Sequence, residues 1–415
     1  MPRPEPALRI DLGRARAFWH RRQGLAEPVK GTLEEVVAST GWLRTLGGTD
    51  VYIAARARVP GMRRRDLDEA VEQSRLQVVP AVRGCIYVVP RAEVPLVLRV
   101  AEELSSKRTE REHEKAGILE EEVAGVAEAV VAALRKGPLS TDALRKALPP
   151  GVIRSLGEKG KKIGISSTLP PAVRRLEFEG KVERTLEGGR LDSERYAWRL
   201  TRKNPFTGAK LPSDPIDRYA RVAEAFFRSA APATLKDFAA WSGFSQKDAR
   251  AAAERISLVP IAVEGYADEA FVFEPDLPEL REAARPAASI SMLSFEDNYL
   301  VLHGGPGLVT DPKHHEYPIK VWGQTKGTTL GDAKHISMRS LFDGDKLVGL
   351  WELDPDKGKV VFGTLEPTAP ARKKVIAALA DEMGKFLIEE LGHGRSFTLD
   401  TEDAMRERAA EVKRL

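Results

Sequence analysis

One cysteine, Cys85, stands in 415 residues, so no disulfide can form within the chain and a reducing compartment is implied. No apolar run reaches the ~18–20 residues that span a bilayer. The opening MPRPEPALRID lacks the hydrophobic centre of a signal peptide. These absences point to a cytoplasmic protein with no membrane partner. Charge of one sign is also in short supply. The 65 Lys+Arg stand against 61 Asp+Glu, a net charge of +4, so an anionic partner has to be argued from local clusters. Glutamine is scarce near the start, where Gln23 is the only one before residue 70.

What is present is patterned for a multi-domain globular chain, since roughly 100–200 residues make a domain. DLGRARAFWHRRQGL reads as a helix with Leu12, Ala15, Phe18 and Trp19 on one stripe. Thr32 and Glu35 form a capping-box pattern ahead of a second helix. A third, RRRDLDEAVEQSRL, follows Pro60-Gly61, and QVVPAVRGCIYVVP then reads as a hairpin with Cys85 as a small core residue. Three helices and a β-ribbon are the order of a winged helix, a variant of the helix-turn-helix.

The order recurs. LEEEVAGVAEAVVAALRKG, a Ser140-capped TDALRKAL, a Gly- and Lys-rich loop, TLPPAVRRLEFEGK and a hairpin turning at Gly188-Gly189 make a second copy. PIDRYARVAEAFFRSA, a helix capped by Thr234, another capped by Ser245, and the strands LVPIAVEG and EAFVFEPD make a third. A Pro- and Ala-containing linker at 280–288 ends the array. Beyond it, alternating segments with turns such as Asp356-Lys357-Gly358 read as a small antiparallel barrel or sheet, closed by a long helix and a polar tail. The expected class is α+β: winged-helix units at 8–112, 113–205 and 206–288, then a β module at 289–415.

The segments YIAARARVPGMRRRDLDEAV, VVPAVRGCIYVVPRAEVP and PATLKDFAAWSGFSQKDARAA carry a resemblance to a known family. SFEDNYLVLH and DGDKLVGLWELD add to it. The chain resembles the AlkZ-like winged-helix DNA glycosylases over most of its length, in consistent order. The resemblance implies tandem winged helices, duplex DNA as partner and excision of alkylated or bulky bases. It also implies a Gln-x-Gln or Gln-x-Asp signature that positions water against the developing oxocarbenium sugar. By count from YIAARARVPG that signature falls on Arg44-Thr45-Leu46, where no residue of the required kind stands. Arg44 is a permanent cation suited to phosphate or a base edge, and Leu46 has no polar atom. Asp50 is the nearest carboxylate, and either polarises the water from a displaced position or caps the helix VYIAARARV. Gly47-Gly48 either admits a phosphate or only permits a turn with positive φ.

The third helix of a winged helix enters the major groove and its wing follows the backbone. That nominates Arg63, Arg64 and Arg65 in the first unit, with Arg83 on its hairpin and Arg44 and Thr45 at the altered motif. It nominates Arg174, Arg175, Arg184 and Arg190 in the second unit, and Lys247 and Arg250 in the third. Four histidines, His303, His314, His315 and His335, fall near Asp297 and Asp311, but their spacing fits no ligand motif, so neither metal nor cofactor is expected. Asp297 and Asn298 either face nucleic acid or make core-capping hydrogen bonds, while Trp241, Trp322 and Trp351 read as core. With no dimerisation heptad, the expectation is a monomer associated with the bacterial nucleoid. The leading reading is a DNA binder with its catalytic motif replaced. The alternatives are an N-glycosyl hydrolase that uses Asp50, and a winged-helix transcriptional regulator.

Overall fold

The computed structural model describes residues 8–193, 195–284, 289–321 and 326–415, so Trp322 and much of the linker at 280–288 lie outside the described residues. The chain folds as two compact units, Met1–Leu67 with Tyr219–Leu415, and Asp68–Arg218. The protein is mixed α and β, with several small antiparallel sheets among many helices.

In the first unit, strand Arg9–Ile10 adds in parallel to strand Leu258–Val263, which places the start of the chain beside a segment about 250 residues later. Asp11 then caps helix Leu12–Arg22 by accepting from the Arg14 N–H at 2.9 Å, and Ala15, Phe18 and Trp19 are buried along it. Thr32 and Glu35 complete the expected capping box on helix Leu33–Ser39. Thr234 and Asp237 form a second capping box at helix Leu235–Ser242, and Ser245 caps helix Gln246–Ala253 by accepting from the Asp248 N–H. Strand Ala233–Thr234 pairs with Ala270–Phe273, which pairs in turn with Leu258–Val263.

This unit also holds a four-stranded antiparallel sheet in the spatial order Ile290–Leu293, Arg339–Asp343, Lys346–Asp354, Lys359–Thr364. Asp356-Lys357-Gly358 makes the turn between its last two strands. Trp351 is fully buried and donates its ring N–H to the Leu293 and Ser340 carbonyls; Trp241 is also core. Helix Pro370–Lys385 runs on into a π-helical turn, Phe386–Leu391. The residues expected to form a polar tail are instead helix Glu402–Val412, capped by Thr401. Met405, Ala409 and Val412, spaced three and four apart, give it a buried stripe that its many charges mask in the sequence.

In the second unit, Leu76–Pro80 and Ile86–Pro90 form the expected hairpin, with Val78 opposite Val88. Cys85 is only partly buried, because it follows the Val82–Gly84 turn at the hairpin tip and not a strand interior. The Gly- and Lys-rich loop contains a short helix, Gly157–Lys162. Helices Glu120–Leu134, Thr141–Ala147 and Leu169–Phe178 surround a core that includes Val126, Val130, Leu144, Ala172 and Leu176. Leu139–Ser140 pairs with Tyr196–Leu200, which pairs with Val182–Leu186. Among the described residues, no helix is long and apolar enough to cross a membrane.

Candidate functional site

The segment from Thr40 to Met62 shapes a small cleft in the first unit. Gly41 and Trp42 both take positive φ, 94° and 62°, then the two-residue strand Leu43–Arg44 leads to the glycine pair. Gly47 has φ 71°, the left-handed region where a side chain would be strained. Gly48 is required by close approach: a Cβ there would lie 2.3 Å from the Ser396 carbonyl carbon and 2.4 Å from its oxygen. The neighbour is the chain's own backbone. The Thr49 N–H donates to the Arg395 carbonyl at 2.8 Å and the Thr398 N–H donates to the Leu46 carbonyl at 3.0 Å. A clasp from the far end of the chain therefore holds the break open as a turn.

Helix Asp50–Arg58 begins there. Its N-cap is Thr49, whose side chain makes no capping bond, and Asp50 does not cap it either. Asp50 is buried, 8% exposed, and its carboxylate accepts from the Phe295 N–H at 2.7 Å and from Arg339 Nε and Nη2 at 3.0 and 2.9 Å. Arg339 is wholly buried and also donates to Glu352, the Thr49 hydroxyl and the Gly394 carbonyl. Burial alone would lower its pKa, but the carboxylates of Asp50 and Glu352 outweigh that and raise it, so it is a fixed cation. At the last residue of the helix, Arg58 pairs with Asp297 through two bonds of 2.9 and 2.7 Å and donates to Gln23 Oε1 at 2.8 Å. Asp297 accepts from Ser294 and from the Tyr299 N–H, and Asn298 donates to the Thr40 and Trp42 carbonyls. Both side chains thus make core-capping hydrogen bonds, and Gln23 is a buried strut.

These elements enclose a cleft lined by Trp42, Arg44, Leu46, Asp50, Glu296 and Asn298, among others. Its water-accessible volume is about 20 Å³, enough for about one water, which needs roughly 10–15 Å³ on this measure. Arg44 forms an ion pair with Glu296 across it. Glu296 has φ 52°, a left-handed conformation that costs a non-glycine residue on the order of 1–3 kcal/mol and tends to mark functional sites. Thr45 is 2% exposed and its hydroxyl is buried without a hydrogen-bond partner among the described residues, so it offers no surface contact.

The other nominated cations divide by environment. Arg63, Arg65, Lys247 and Arg250 are exposed; Arg64 is half-buried. In the compact unit Asp68–Arg218, Arg83 is exposed at its hairpin tip with φ 55°, and Arg174 is exposed on helix Leu169–Phe178. Arg175 pairs with Glu120 and Glu179. Arg184 pairs with Glu177 and lies over the Tyr196 and Trp198 rings, and Arg190 pairs with Asp192. Arg174, Arg175 and Arg184 line a wider cleft of about 710 Å³ within that unit.

His303 has both ring nitrogens against the Tyr299 and Ala230 carbonyls, and His315 Nε2 faces the Gly307 carbonyl. Among the described residues, no three His, Cys, Asp or Glu side chains converge as metal ligands would. Sequence reasoning missed Arg339 and Glu296. An arginine between Met338 and the Leu341-Phe342 pair, in SMRSLFD, was the available signal for the first. Glu296 stood next to the two residues of SFEDNYL that drew attention.

A family model described as DNA glycosylase AlkZ-like matches residues 45–387. No curated protein matches the sequence. Among solved structures, the Streptomyces sahachiroi DNA glycosylase AlkZ is similar, with TM-score 0.67 and 18% identity, over 94% of this chain and 98% of that one. At that identity the likeness is one of fold.

Proposed function

The chain belongs to the DNA glycosylase AlkZ-like family, and from that premise we propose that it binds duplex DNA, including alkylated or otherwise damaged duplex, as a nucleoid-associated cytoplasmic monomer. In this reading the fold comprises three tandem winged-helix units followed by the β module. In its support, a short strand pairs with the later strand of a hairpin in two separate places, Leu139–Ser140 with Tyr196–Leu200 and Ala233–Thr234 with Ala270–Phe273. The DNA contacts are the exposed cations on the helices and hairpin tip: Arg63 and Arg65, Arg83, Arg174, Lys247 and Arg250. Each is first a phosphate contact, which positions the protein, and only then a base reader.

The observation that carries the reading is the state of the altered motif. Arg44, where the family resemblance calls for a water-holding amide, is paired with Glu296. Asp50, the nearest carboxylate to that motif in the sequence, has both oxygens committed to Arg339 and Phe295. DNA affinity therefore does not depend on Asp50 acting on water.

Fluorescence anisotropy titrations with plain and N7-methylguanine duplexes, repeated across salt concentrations, test the proposal. Affinity is expected to fall steeply with salt, because neutralised phosphates release counterions. The Arg63→Ala/Arg65→Ala and Lys247→Ala/Arg250→Ala pairs are each expected to flatten the log–log slope by about 2, roughly one per cation removed. Binding that is absent, or present but insensitive to salt, refutes it.

A further inference from the structure

We infer that Glu296 is the carboxylate that positions a hydrolytic water in this chain, with Arg44 holding it in place. The inference rests on the DNA-binding reading above and adds a reaction to it. Three carboxylates line the cleft: Asp50, Glu296 and Asp297. Asp50 is saturated by the Arg339 guanidinium and the Phe295 N–H. Asp297 is saturated by Arg58, Ser294 and the Tyr299 N–H. Glu296 alone keeps an oxygen without a hydrogen-bond partner among the described residues, since only Oε2 takes Arg44. Its side chain is 11% exposed and that of Arg44 is 21%, so the pair sits at the mouth of the cleft and not in the core.

Two further features fit this assignment. The left-handed backbone of Glu296, stabilised by the surrounding core contacts of Phe295, Asp297 and Asn298, aims its side chain back toward Arg44. The cleft's water-accessible volume, about 20 Å³, suits a single nucleophilic water and excludes a nucleobase. The sugar carbon of a displaced nucleotide would therefore be presented at the mouth, with the base outside.

The chemistry is an N-glycosidic hydrolysis of an N-alkylated purine, already a cationic leaving group. The C1′–N bond breaks and its electron pair returns to the purine ring, which leaves neutral. The water oxygen forms the new bond to C1′, and its proton passes to the free Glu296 oxygen. Arg44 acts through the carboxylate it pairs with and is a positioning residue. A base within hydrogen-bond reach of such a water contributes on the order of 10²–10⁴-fold.

Single-turnover release from N7-methylguanine duplex, scored as abasic sites, tests the assignment alongside anisotropy binding and thermal melts. Wild type is expected to release the base, with a rate that falls toward acid. Glu296→Gln, which loses the ion pair to Arg44, is expected to melt below wild type but to stay folded and bind the duplex at the assay temperature, yet to lose on the order of 10²–10⁴-fold in rate and to show no acid limb. Glu296→Asp, which keeps the carboxylate, recovers part of the rate, and Arg44→Ala lowers it with the acid limb retained. Undiminished release by Glu296→Gln, or binding by wild type without any release, overturns the assignment and leaves DNA binding standing. Absence of binding by wild type overturns both.

Discussion

Replacing Asp50 by Asn separates the two jobs a carboxylate at this position can have. The side chains are nearly isosteric, so the bonds from the Phe295 N–H and Arg339 Nε to one oxygen, at 2.7 and 3.0 Å, can survive. The other oxygen, which accepts from Arg339 Nη2 at 2.9 Å, becomes an amide N–H₂ and points a donor at a donor. A wholly buried guanidinium then loses one of its two carboxylates. Breaking a buried ion pair costs about 3–5 kcal/mol, and Glu352 remains, so the lower end, about 3 kcal/mol, is expected. At roughly 2–4 °C per kcal/mol for a unit of this size, the melting temperature falls by about 6–12 °C. The check is thermal unfolding by circular dichroism, with duplex binding and base release measured on the same preparation well below both transitions. A melting temperature within error of wild type, together with lost base release, would refute the structural assignment and return Asp50 to the chemistry.

Two further predictions follow from buried and crowded positions. His20 is fully buried, neither ring nitrogen has a hydrogen-bond partner among the described residues, and burial lowers its pKa from 6.5 to about 4. The unfolded chain therefore binds the proton first, so the contribution of His20 to stability is constant above pH 6.5 and falls as pH drops toward 4, by on the order of 3 kcal/mol. Denaturant midpoints between pH 7 and 4 should show that loss shrink in His20→Leu, and an identical pH profile in the variant would count against it. Gly48→Ala sets a methyl group against the Ser396 backbone at 2.3 Å, an overpacking that typically costs about 1–3 kcal/mol; an unchanged melting temperature would show that the clasp at 395–398 is looser than its hydrogen bonds imply.

The legibility of this chain tracks sequence separation. Caps three residues apart, Thr32 with Glu35, Thr234 with Asp237 and Ser245 with Asp248, were readable because both partners sit in one window. The hairpins were readable from β-branched runs punctuated by glycine, as at Leu76–Pro90. The candidate site was not, because its decisive pairs are distant: Asp50 meets Arg339 289 residues away and Arg58 meets Asp297 239 residues away. No local pattern distinguishes an aspartate that will cap its own helix from one that will meet a buried guanidinium. Helix Glu402–Val412 was overlooked for a different reason, a buried stripe only one residue wide per turn within a highly charged run.

The clasp between the break and residues 395–398 also sets a schedule. The Leu46 carbonyl and the Thr398 hydroxyl that bonds it are 352 positions apart. At roughly 5–20 residues per second, a ribosome needs about 20–70 s to make the intervening chain. For that interval the nascent Thr40–Met62 segment has no partner for its turn, and Asp50 waits for an arginine not yet synthesised. The cleft is consequently completed on a growing chain only long after the first of its lining residues, Trp42 to Arg58, have been made.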